Sequence, residues 1–366
     1  MRKVEYPPAV HRRGAPDRIL RALLGSACAV VCAVALVSCS SEEPERSEGS
    51  SSSTSSTDSS PEVSTTTPAA APTGSSTQQL LDSICTGAAT IVDAGVIATP
   101  EIGEASGLAA SRRNPGAWWI HNDSGDAPRL FAIDADGQLL ATIELDGATA
   151  RDWESIAVGP PVEGLPSEGG TATVYLGDTG DNAVIRDPAA GRGSIRIYRF
   201  AEPAVDVAGR DQQLATSVDT LVFEFPDGPR DVEALLVDPV EGDLVVVTKD
   251  WQRSGVAEVY RAAADAPAGS TTPLERVGSV PLEPGTLVTA ADTSPDGSVV
   301  ALRSYGAVNL YERPDGAPLW AAFDSVPCEG PVPSEIQGEA LSFDLDGGSY
   351  LTVSEGAGQT LHRTQP

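Results

Sequence analysis

The sequence predicts an all-β domain of the β-propeller class, and three observations support this. An acidic residue followed at once by a short apolar strand recurs along the chain. Each copy continues into a polar or glycine-containing turn and further short strands, which is typical of antiparallel sheets. Strand-built repeats of ~40–50 residues are typical of propeller blades. The copies are GEASGLA at 103–109, RDWESIAV at 151–158, RDVEALLV at 230–237, ADTSPDG at 291–297 and QGEALSF at 337–343.

The strand count predicts five blades. Four units contain four strands each, with the fourth strand of the fourth unit placed at 318–323, whereas the last unit ends after its third strand at 360–362. A spare strand at 89–97 can complete that blade, since propellers close by pairing a terminal strand that would otherwise leave an exposed edge. The interval from Glu154 to Glu233 is longer than the others, so six blades remain the alternative.

Residues 1–39 have the features of an export signal. Basic residues precede an apolar run that ends in LVSC at 36–39, in the order that a cleaved signal requires. The LVSC segment resembles the lipobox of bacterial lipoproteins, which implies cleavage before Cys39 and diacylation of its sulfur. The alternative is an uncleaved signal anchor, because the run is near the lower limit for a membrane-spanning helix. In both cases we expect the domain on the outer face of the cytoplasmic membrane.

Two further segments follow the signal. Residues 40–78 are dominated by Ser, Thr, Pro, Glu and Ala and contain no aromatic residue. Such a composition cannot bury enough apolar surface to offset its ordering entropy, so we expect a disordered tether. Residues 79–366 have the length and the glycine and proline content of one large all-β domain.

The charge of the chain restricts its partners. Asp and Glu number 52 against 24 Lys and Arg, for a net charge of −28. This charge argues against nucleic acid or an anionic bilayer as a partner and favours cations or cationic ligands. We expect a monomer that touches the membrane only through its lipid anchor and binds an extracellular ligand or protein.

The five cysteines divide between the signal and the domain. Cys28 and Cys32 lie in the signal and Cys39 is the lipidation site, which leaves Cys85 and Cys328. Two cysteines in an exported domain usually form a disulfide, the alternative being two buried thiols. The pair would clamp the ring near its seam and close a loop long enough to stabilise the fold by a few kcal/mol.

Strand direction brings the acidic residues to one end of the ring. Because strands alternate in direction within a blade, the loops between strands 2 and 3 lie at the same end as the starts of the first strands; we call this the acidic end. Its oxygen-rich clusters suit calcium, which takes 6–8 oxygen ligands. The alternative is that the acids pair with arginines or backbone N–H groups and only close the ring. The predicted metal ligands are Glu104, Asp123, Glu154, Asp178, Asp181, Glu233, Asp292 and Glu339.

Polar and aromatic residues beside these acids are predicted to contact a ligand. Aromatic rings can stack on a sugar or a cation at the rim, and Arg151, Arg230 and Arg303 can pair with neighbouring acids. The predicted ligand-binding residues are His121, Asn122, Arg151, Asp152, Arg230, Asp231, Trp251, Arg303 and Tyr305.

Most catalytic signatures are missing from the sequence. It contains no Gly-x-Ser-x-Gly elbow and no glycine-rich phosphate loop before a helix, which argues against a serine hydrolase or a nucleotide-binding enzyme. Only three histidines occur, too few for a typical histidine-based zinc site. His121 is a candidate general base, although a structural hydrogen bond explains one histidine beside acids equally well. No catalytic residue is assigned.

Several motifs together resemble a family of exported bacterial β-propeller proteins, many of them lipoproteins. The resemblance spans about 104–362 and rests on RDWESIA at 151–157, GDTGDN at 177–182, VTAADTSPDG at 288–297, ALRSY at 301–305, QGEA at 337–340 and LTVSEG at 351–356. The chain is also distantly similar to phytase-like and calcium-dependent lactonase propellers, which implies axial acids over a metal. Those propellers typically have six blades, and no catalytic residue is carried over from them.

The sequence therefore leads to one main functional hypothesis and two alternatives. The main hypothesis is a surface-tethered binding module with an acidic, calcium-loaded funnel that recognises an extracellular ligand. The first alternative is a metal-dependent hydrolase of a phosphoester, lactone or glycan that uses the funnel carboxylates. The second is a structural interaction platform whose axial acids only close the ring.

Overall fold

The computed structural model describes residues 75–165, 172–185 and 187–366, and these form a five-bladed β-propeller. The predicted signal and most of the predicted tether lie outside the described residues. The elements are α1 (Ser76–Cys85), β1 (Thr90–Val96), β2 (Ala105–Ala110), β3 (Ala117–Asn122), β4 (Arg129–Asp134), β5 (Leu139–Asp146), β6 (Trp153–Gly159), β7 (Thr173–Asp178), β8 (Ile195–Ala201), β9 (Gln212–Ser217), β10 (Asp219–Glu224), β11 (Val232–Val237), β12 (Leu244–Thr248), β13 (Val256–Ala262), β14 (Thr271–Pro273), β15 (Glu275–Pro281), β16 (Val288–Thr293), β17 (Val299–Ser304), β18 (Val308–Glu312), β19 (Cys328–Gly330), β20 (Gly338–Phe343), β21 (Tyr350–Ser354) and β22 (Thr360–Gln365). Short 3₁₀ helices lie at Asn182–Ile185, Pro188–Ala190 and Leu319–Asp324.

Each blade is an antiparallel sheet with its first strand nearest the axis. Blade 1 consists of β2–β5, blade 2 of β6–β8 and β10, blade 3 of β11–β13 and β15, blade 4 of β16–β19, and blade 5 of β20–β22 with β1. Strand β1 pairs antiparallel with β22, which confirms the predicted closure by an N-terminal strand. The five first strands contact one another in order around the ring.

The described residues of the long interval between Glu154 and Glu233 form no sixth blade. Strand β9 runs parallel to β5 and adds a fifth strand to blade 1, and β14 extends blade 2 in the same way by pairing with β10. Strand β9 has no counterpart among the predicted strands. The predicted fourth strand of blade 4 at 318–323 is also wrong, because this segment is a 3₁₀ helix and β19 forms the outer strand.

The hydrophobic core is divided into five clusters, one between each pair of neighbouring blades. Both faces of a blade are covered, so its inner strands read as nearly continuous apolar runs and not as alternating ones. Five of the six residues of β11 are apolar, the exception is Glu233, and all six are buried. The core therefore fixes the angle of each blade about the axis.

Helix α1 and the disulfide close the seam between blades 4 and 5. Leu80, Leu81 and Ile84 are buried against both blades, and Ser75 caps the helix by accepting a hydrogen bond from the Gln78 N–H at 3.2 Å. A disulfide joins Cys85, the last residue of α1, to Cys328, the first residue of β19. The predicted pairing is confirmed. Cys328 lies in the outer strand of blade 4.

Candidate functional site

A β-bulge recurs near the start of the first strand in all five blades. Bulges insert one extra residue, disrupt the ladder and re-aim a side chain. Each bulge lies at the acidic end, close to the axis. The bulged residues are Ser106, Glu154, Glu233, Thr289 and Glu339.

A second repeated position follows the second strand of each blade. In four blades its N–H donates to the carbonyl oxygen two residues before the bulge, for example Asp123 to Glu104 at 2.8 Å and Lys249 to Asp231 at 3.0 Å. This bond holds the strand 2–3 loop against the first strand, next to the bulged side chain. The residues at this position are Asp123, Thr179, Lys249, Tyr305 and Glu355.

The register corrects the sequence alignment in blades 1 and 4. Glu104 is exposed and lies two residues before the bulged Ser106. Asp292 is the fifth residue of β16, so the prediction that it starts this strand at the acidic end is wrong. Its carboxylate accepts hydrogen bonds from the Phe343 and Thr293 N–H groups, each at 2.8 Å. Both repeats have a polar residue at the bulge, but it is Ser or Thr and not an acid.

Asp292 instead belongs to the opposite end of the axis. It lines a cavity of about 20 Å³ with Arg112 and Phe343. Burial raises the pKa of Asp292 to about 6, against the opposing effect of its hydrogen bonds and of Arg112. This end of the axis is therefore nearly filled by side chains.

Three carboxylates at the acidic end converge between blades 1 and 2. Asp123, Asp152 and Glu154 each offer an oxygen, and these atoms lie within 4.8 Å of one another. We call these residues the axial triad. Glu154 is only 3 % exposed, and its Oε2 accepts a hydrogen bond from Ser106 Oγ at 3.1 Å. The Oδ1 atom of Asp123 is buried and accepts no hydrogen bond within the described residues.

A close approach of the GDTGDN loop shapes the triad. The N–H groups of Thr179 and Gly180 both donate to the Asp152 carbonyl oxygen at 3.1 Å. A Cβ atom on Gly180 would lie 2.2 Å from Glu154 Oε1 and 2.7 Å from Asp152 Oδ2. Glycine at 180 is therefore needed for the loop to pack against the triad carboxylates.

The triad carboxyl groups hold their protons more strongly than free ones. Burial, followed by the charge of Asp152, raises the pKa of Asp123 to about 7. Burial, followed by the charge of Glu233, raises the pKa of Glu154 well above its usual value. Burial also raises the pKa of Asp152, which Asp231 reinforces and Arg192 opposes. Like charges in a poorly solvated site resist ionisation unless a cation compensates them.

A different arrangement compensates the carboxylates of blades 3 and 5. The ammonium of Lys249 lies 2.8 Å from Glu233 Oε1 and donates to Tyr305 Oη at 3.3 Å. Tyr305 donates in turn to Glu339 Oε1 at 2.7 Å. Burial opposes the charge on Lys249, but the carboxylate of Glu233 outweighs this effect and raises the pKa of the ammonium. We call Glu233, Lys249, Tyr305 and Glu339 the lysine network.

Lys249 is the residue that the sequence analysis missed. The chain contains only two lysines, Lys3 and Lys249, while all its other cationic side chains are arginines. Lys249, the one lysine after the predicted signal, therefore lies at the axis, where its compact ammonium fits between carboxylates and aromatic rings. This unusual usage was visible in the sequence. Glu355 was also missed; burial and its hydrogen bond with Glu339 raise its pKa to about 8.

Two predicted metal ligands lie in a buried arginine network beside the triad. Asp178 is fully buried, and its Oδ1 accepts a hydrogen bond from Arg192 at 2.8 Å. Asp181 is 2 % exposed and donates its N–H to Asp231 Oδ1 at 2.6 Å. Arg192 also donates to the Gly180 carbonyl oxygen at 3.0 Å. These contacts support the loop behind the triad.

Several predicted ligand contacts have structural partners. His121 is fully buried, packs edge-on against Trp153 and bonds the Asn122 carbonyl oxygen through Nδ1 at 2.9 Å. Burial lowers the pKa of His121 to about 4, so the ring is neutral at pH 7. The amide of Asn122 bonds the backbone of Gly103, Glu104 and Glu101. The structure places both side chains away from the axial opening.

The predicted arginines have three different environments. Arg303 is fully buried and bonds the Ala340 carbonyl oxygen and the Glu335 carboxylate. Arg230 pairs with Asp227 at 2.9 Å and lines a cleft at the rim together with Asp231 and Trp251. Arg151 is exposed. The three predicted arginines thus lie in the core, in a rim cleft and on the exposed surface.

The fold and this end of the axis define the class of protein. The chain is a five-bladed β-propeller with an acidic carboxylate cluster at the axis that could hold a metal ion. No known family model matches the sequence, and no curated protein is similar to it. Among the described residues, no helix is long and apolar enough to cross a membrane.

Proposed function

We propose that the protein is an exported binding module that holds a divalent cation, calcium by its chemistry, in the axial triad. The observation that carries this proposal is the convergence of three carboxylates from two blades, with ligand oxygens within 4.8 Å of one another. An all-oxygen donor set suits a hard cation. The buried and unpaired Asp123 Oδ1 fits a group that normally has a positive partner.

The triad would leave several coordination positions of the cation open. Calcium takes 6–8 oxygen ligands at about 2.3–2.6 Å, and the triad supplies three carboxylates. The remaining positions would be filled by water, by backbone oxygens or by oxygen atoms of a bound ligand. The cation would thus join the propeller to an extracellular ligand, while the lipid at Cys39 and the Ser/Thr-rich tether would hold the domain at the outer face of the membrane.

A metal-dependent hydrolase is the second candidate, and the same convergence of carboxylates favours it. A cation held by Asp152 and Glu154 would lower the pKa of a bound water. Asp123, whose buried Oδ1 accepts no hydrogen bond within the described residues, would then accept a proton from that water instead of binding the cation. In this case Asp123→Asn would leave a folded protein without activity on a phosphoester, lactone or glycan.

Calcium titration of the purified protein tests the proposal. We expect one calcium per chain by isothermal titration calorimetry, with a dissociation constant of about 10⁻⁴–10⁻³ M, as in other extracellular modules. Saturating calcium should raise the melting temperature because it binds only the folded state. Asp152→Asn should remove both effects, since it takes one charged ligand from the triad.

A matched acidic substitution controls for net charge. Asp315 is exposed in a turn of blade 4 outside the axial cluster, so Asp315→Asn should bind calcium like the natural protein. Equal binding by both variants would place the ion elsewhere. If the chain binds no calcium and calcium does not shift its melting temperature, the axial cation is ruled out.

A further inference from the structure

A cleft at the rim of the acidic end forms a second candidate site, separate from the triad. It has a volume of about 380 Å³ and lies between the insertion of blade 2 at Val184 and the acidic-end loops of blade 3. Trp251 lines it and is half-buried. Its volume is that of a small-molecule site, and most of its lining residues are polar or charged.

The loop that carries Trp251 is fixed in place. Asp250 Oδ2 accepts hydrogen bonds from Ser254 Oγ at 2.9 Å and from the Gly255 N–H at 3.0 Å. Arg253 adopts a left-handed conformation with φ of 55°, which non-glycine residues rarely populate. The indole N–H of Trp251 donates to Asp231. A ligand would therefore meet an indole ring that is already positioned.

We propose that this cleft binds a neutral saccharide of an extracellular glycan. A sugar presents an apolar C–H face, which suits an indole ring, and hydroxyl groups that both donate and accept hydrogen bonds. Gln252 is exposed in the cleft wall and offers both a donor and an acceptor. Ser254 is exposed beside it, and its hydroxyl, which donates to Asp250, can still accept a hydrogen bond. Glu258 and Thr248 in the same wall already have partners, since Glu258 binds Arg276 and Thr248 Oγ1 accepts the Glu258 N–H.

The charges around Trp251 argue against an ionic ligand. The ammonium of Lys249 lies 4.9 Å from the centre of the Trp251 ring, and Arg230 lies in the cleft wall. Both would repel a cation that stacked on the indole. An anion would meet Asp231, Asp250 and Glu258 in the same cleft. A neutral polyhydroxylated ligand avoids both penalties.

This inference deepens the proposed function by naming a ligand class, but it rests on different side chains. Asp231 connects the two regions, because its Oδ1 accepts from the Asp181 N–H behind the triad while its Oδ2 accepts from Trp251. Measuring sugar binding with and without a chelator therefore distinguishes the saccharide site from the axial cation site. Calcium binding without sugar binding would overturn only the saccharide site, and sugar binding that survives chelation would support it even if the axial cation failed.

The test uses saturation-transfer NMR and calorimetry on the purified chain with four neutral tetrasaccharides: maltotetraose, cellotetraose, chitotetraose and mannotetraose. We expect at least one to bind, and Trp251→Ala to weaken that binding about tenfold or more, as for other buried aromatic contacts. Gln252→Ala should weaken it by a smaller factor. Tetramethylammonium, the cationic probe, should not bind.

Trp320→Ala is the matched control. Trp320 is also half-buried and also has a cation over its ring, Arg261 at 5.5 Å, but it lies in the 3₁₀ helix of blade 4 at the opposite end of the ring. This variant should bind the sugar normally. Failure of all four sugars to bind, equal loss in both tryptophan variants, or tetramethylammonium binding at Trp251 would overturn the proposal.

Discussion

Both sides of the acidic end bring carboxylates together, but only one side has a positive side chain among them. Between blades 1 and 2, Asp123, Asp152 and Glu154 converge and have raised pKa values. Across blades 3 to 5, the ammonium of Lys249 lies between Glu233 and Tyr305, which bonds Glu339. One side contains its own cation, and the other has the chemistry to bind one.

The difference follows from which residue the repeat places after the second strand. Blade 1 has Asp123 there and blade 3 has Lys249, on otherwise equivalent backbones with the same N–H to carbonyl bond. Blade 4 has neutral side chains at both repeated positions, Thr289 and Tyr305. Five similar sheets therefore produce an asymmetric site. Function in this ring depends on how the copies differ and not on what they share.

Removing the ammonium of Lys249 should have the largest effect on the unfolding free energy. Lys249→Met leaves the buried Glu233 without its partner, and breaking a buried pair costs about 3–5 kcal/mol of unfolding free energy. Urea denaturation measures this loss. Adding Glu233→Gln should recover part of it, because the uncompensated charge is then gone.

An exposed arginine provides the control for Lys249. Arg151 lies at the same end of the ring but is exposed, so Arg151→Met should change the unfolding free energy by less than about 0.5 kcal/mol. Equal losses in the two variants, or no recovery in the double variant, would show that Lys249 does not stabilise its side of the axis.

A substitution on the triad side should have an intermediate effect. The added methyl group of Gly180→Ala would overlap Glu154 Oε1, since the Cβ would lie at 2.2 Å. Overpacking of this kind costs about 1–3 kcal/mol, and the displaced carboxylates should bind calcium more weakly. Chemical denaturation and calcium titration measure the two effects.

Gly306 is the matched glycine in the strand 2–3 loop of blade 4. A Cβ there would have no neighbour within 4 Å, so Gly306→Ala should be neutral or slightly stabilising. If Gly180→Ala is equally harmless, the loop can move away from the triad and the close approach is not required.

The smallest predicted effect is a pH dependence of the cation-free protein. The pKa of Asp123 is about 7 in the fold, above its ordinary value of 3.8, so the folded state binds this proton more tightly than the unfolded state. Stability should fall as the pH rises from about 4 to about 7, between the pKa of Asp123 in the unfolded state and its pKa in the fold. We expect the melting temperature in chelator to fall over the same interval.

Two further measurements test whether Asp123 causes this pH dependence. Asp123→Asn should make the profile less steep but not flat, because Asp152, Glu154 and Glu355 also have raised pKa values. Saturating calcium should oppose the loss at high pH because it stabilises the ionised triad. Melting curves in chelator that are flat, or that rise with pH, would contradict the assignment to Asp123.

Much of the architecture could be predicted from the sequence because the relevant forces are local. Acidic strand starts, turns and apolar runs gave five blades, and the spare strand near Thr90 gave the closure that β1 makes with β22. The pairing of Cys85 with Cys328 followed from compartment and elimination. Local errors arose where the pattern was weak, as in the 3₁₀ helix Leu319–Asp324 and in β9.

The site was only partly predictable because it depends on register. A one-residue shift changes which side chain faces the axis, so Asp292 looked like a strand start although Thr289 occupies the bulge. His121 and Arg303 were recognised as polar residues near the axis, but their complete burial depends on packing between strands. Neither property has a local sequence signal.

The sequence by itself determined the propeller class, the order of the repeats, the acidic character of one end and the cysteines available for a disulfide, because repeats, charge and covalent chemistry are written along the chain. The structure decided between five blades and six, because β9 and β14 join neighbouring sheets. Only the tertiary structure decided that Asp123, Asp152 and Glu154 converge while Lys249 compensates Glu233. These contacts join residues from different strands or blades. Their distances are set by the bulges and by how the blades pack around the axis, where a shift of a few ångströms separates a carboxylate cluster from an ion pair.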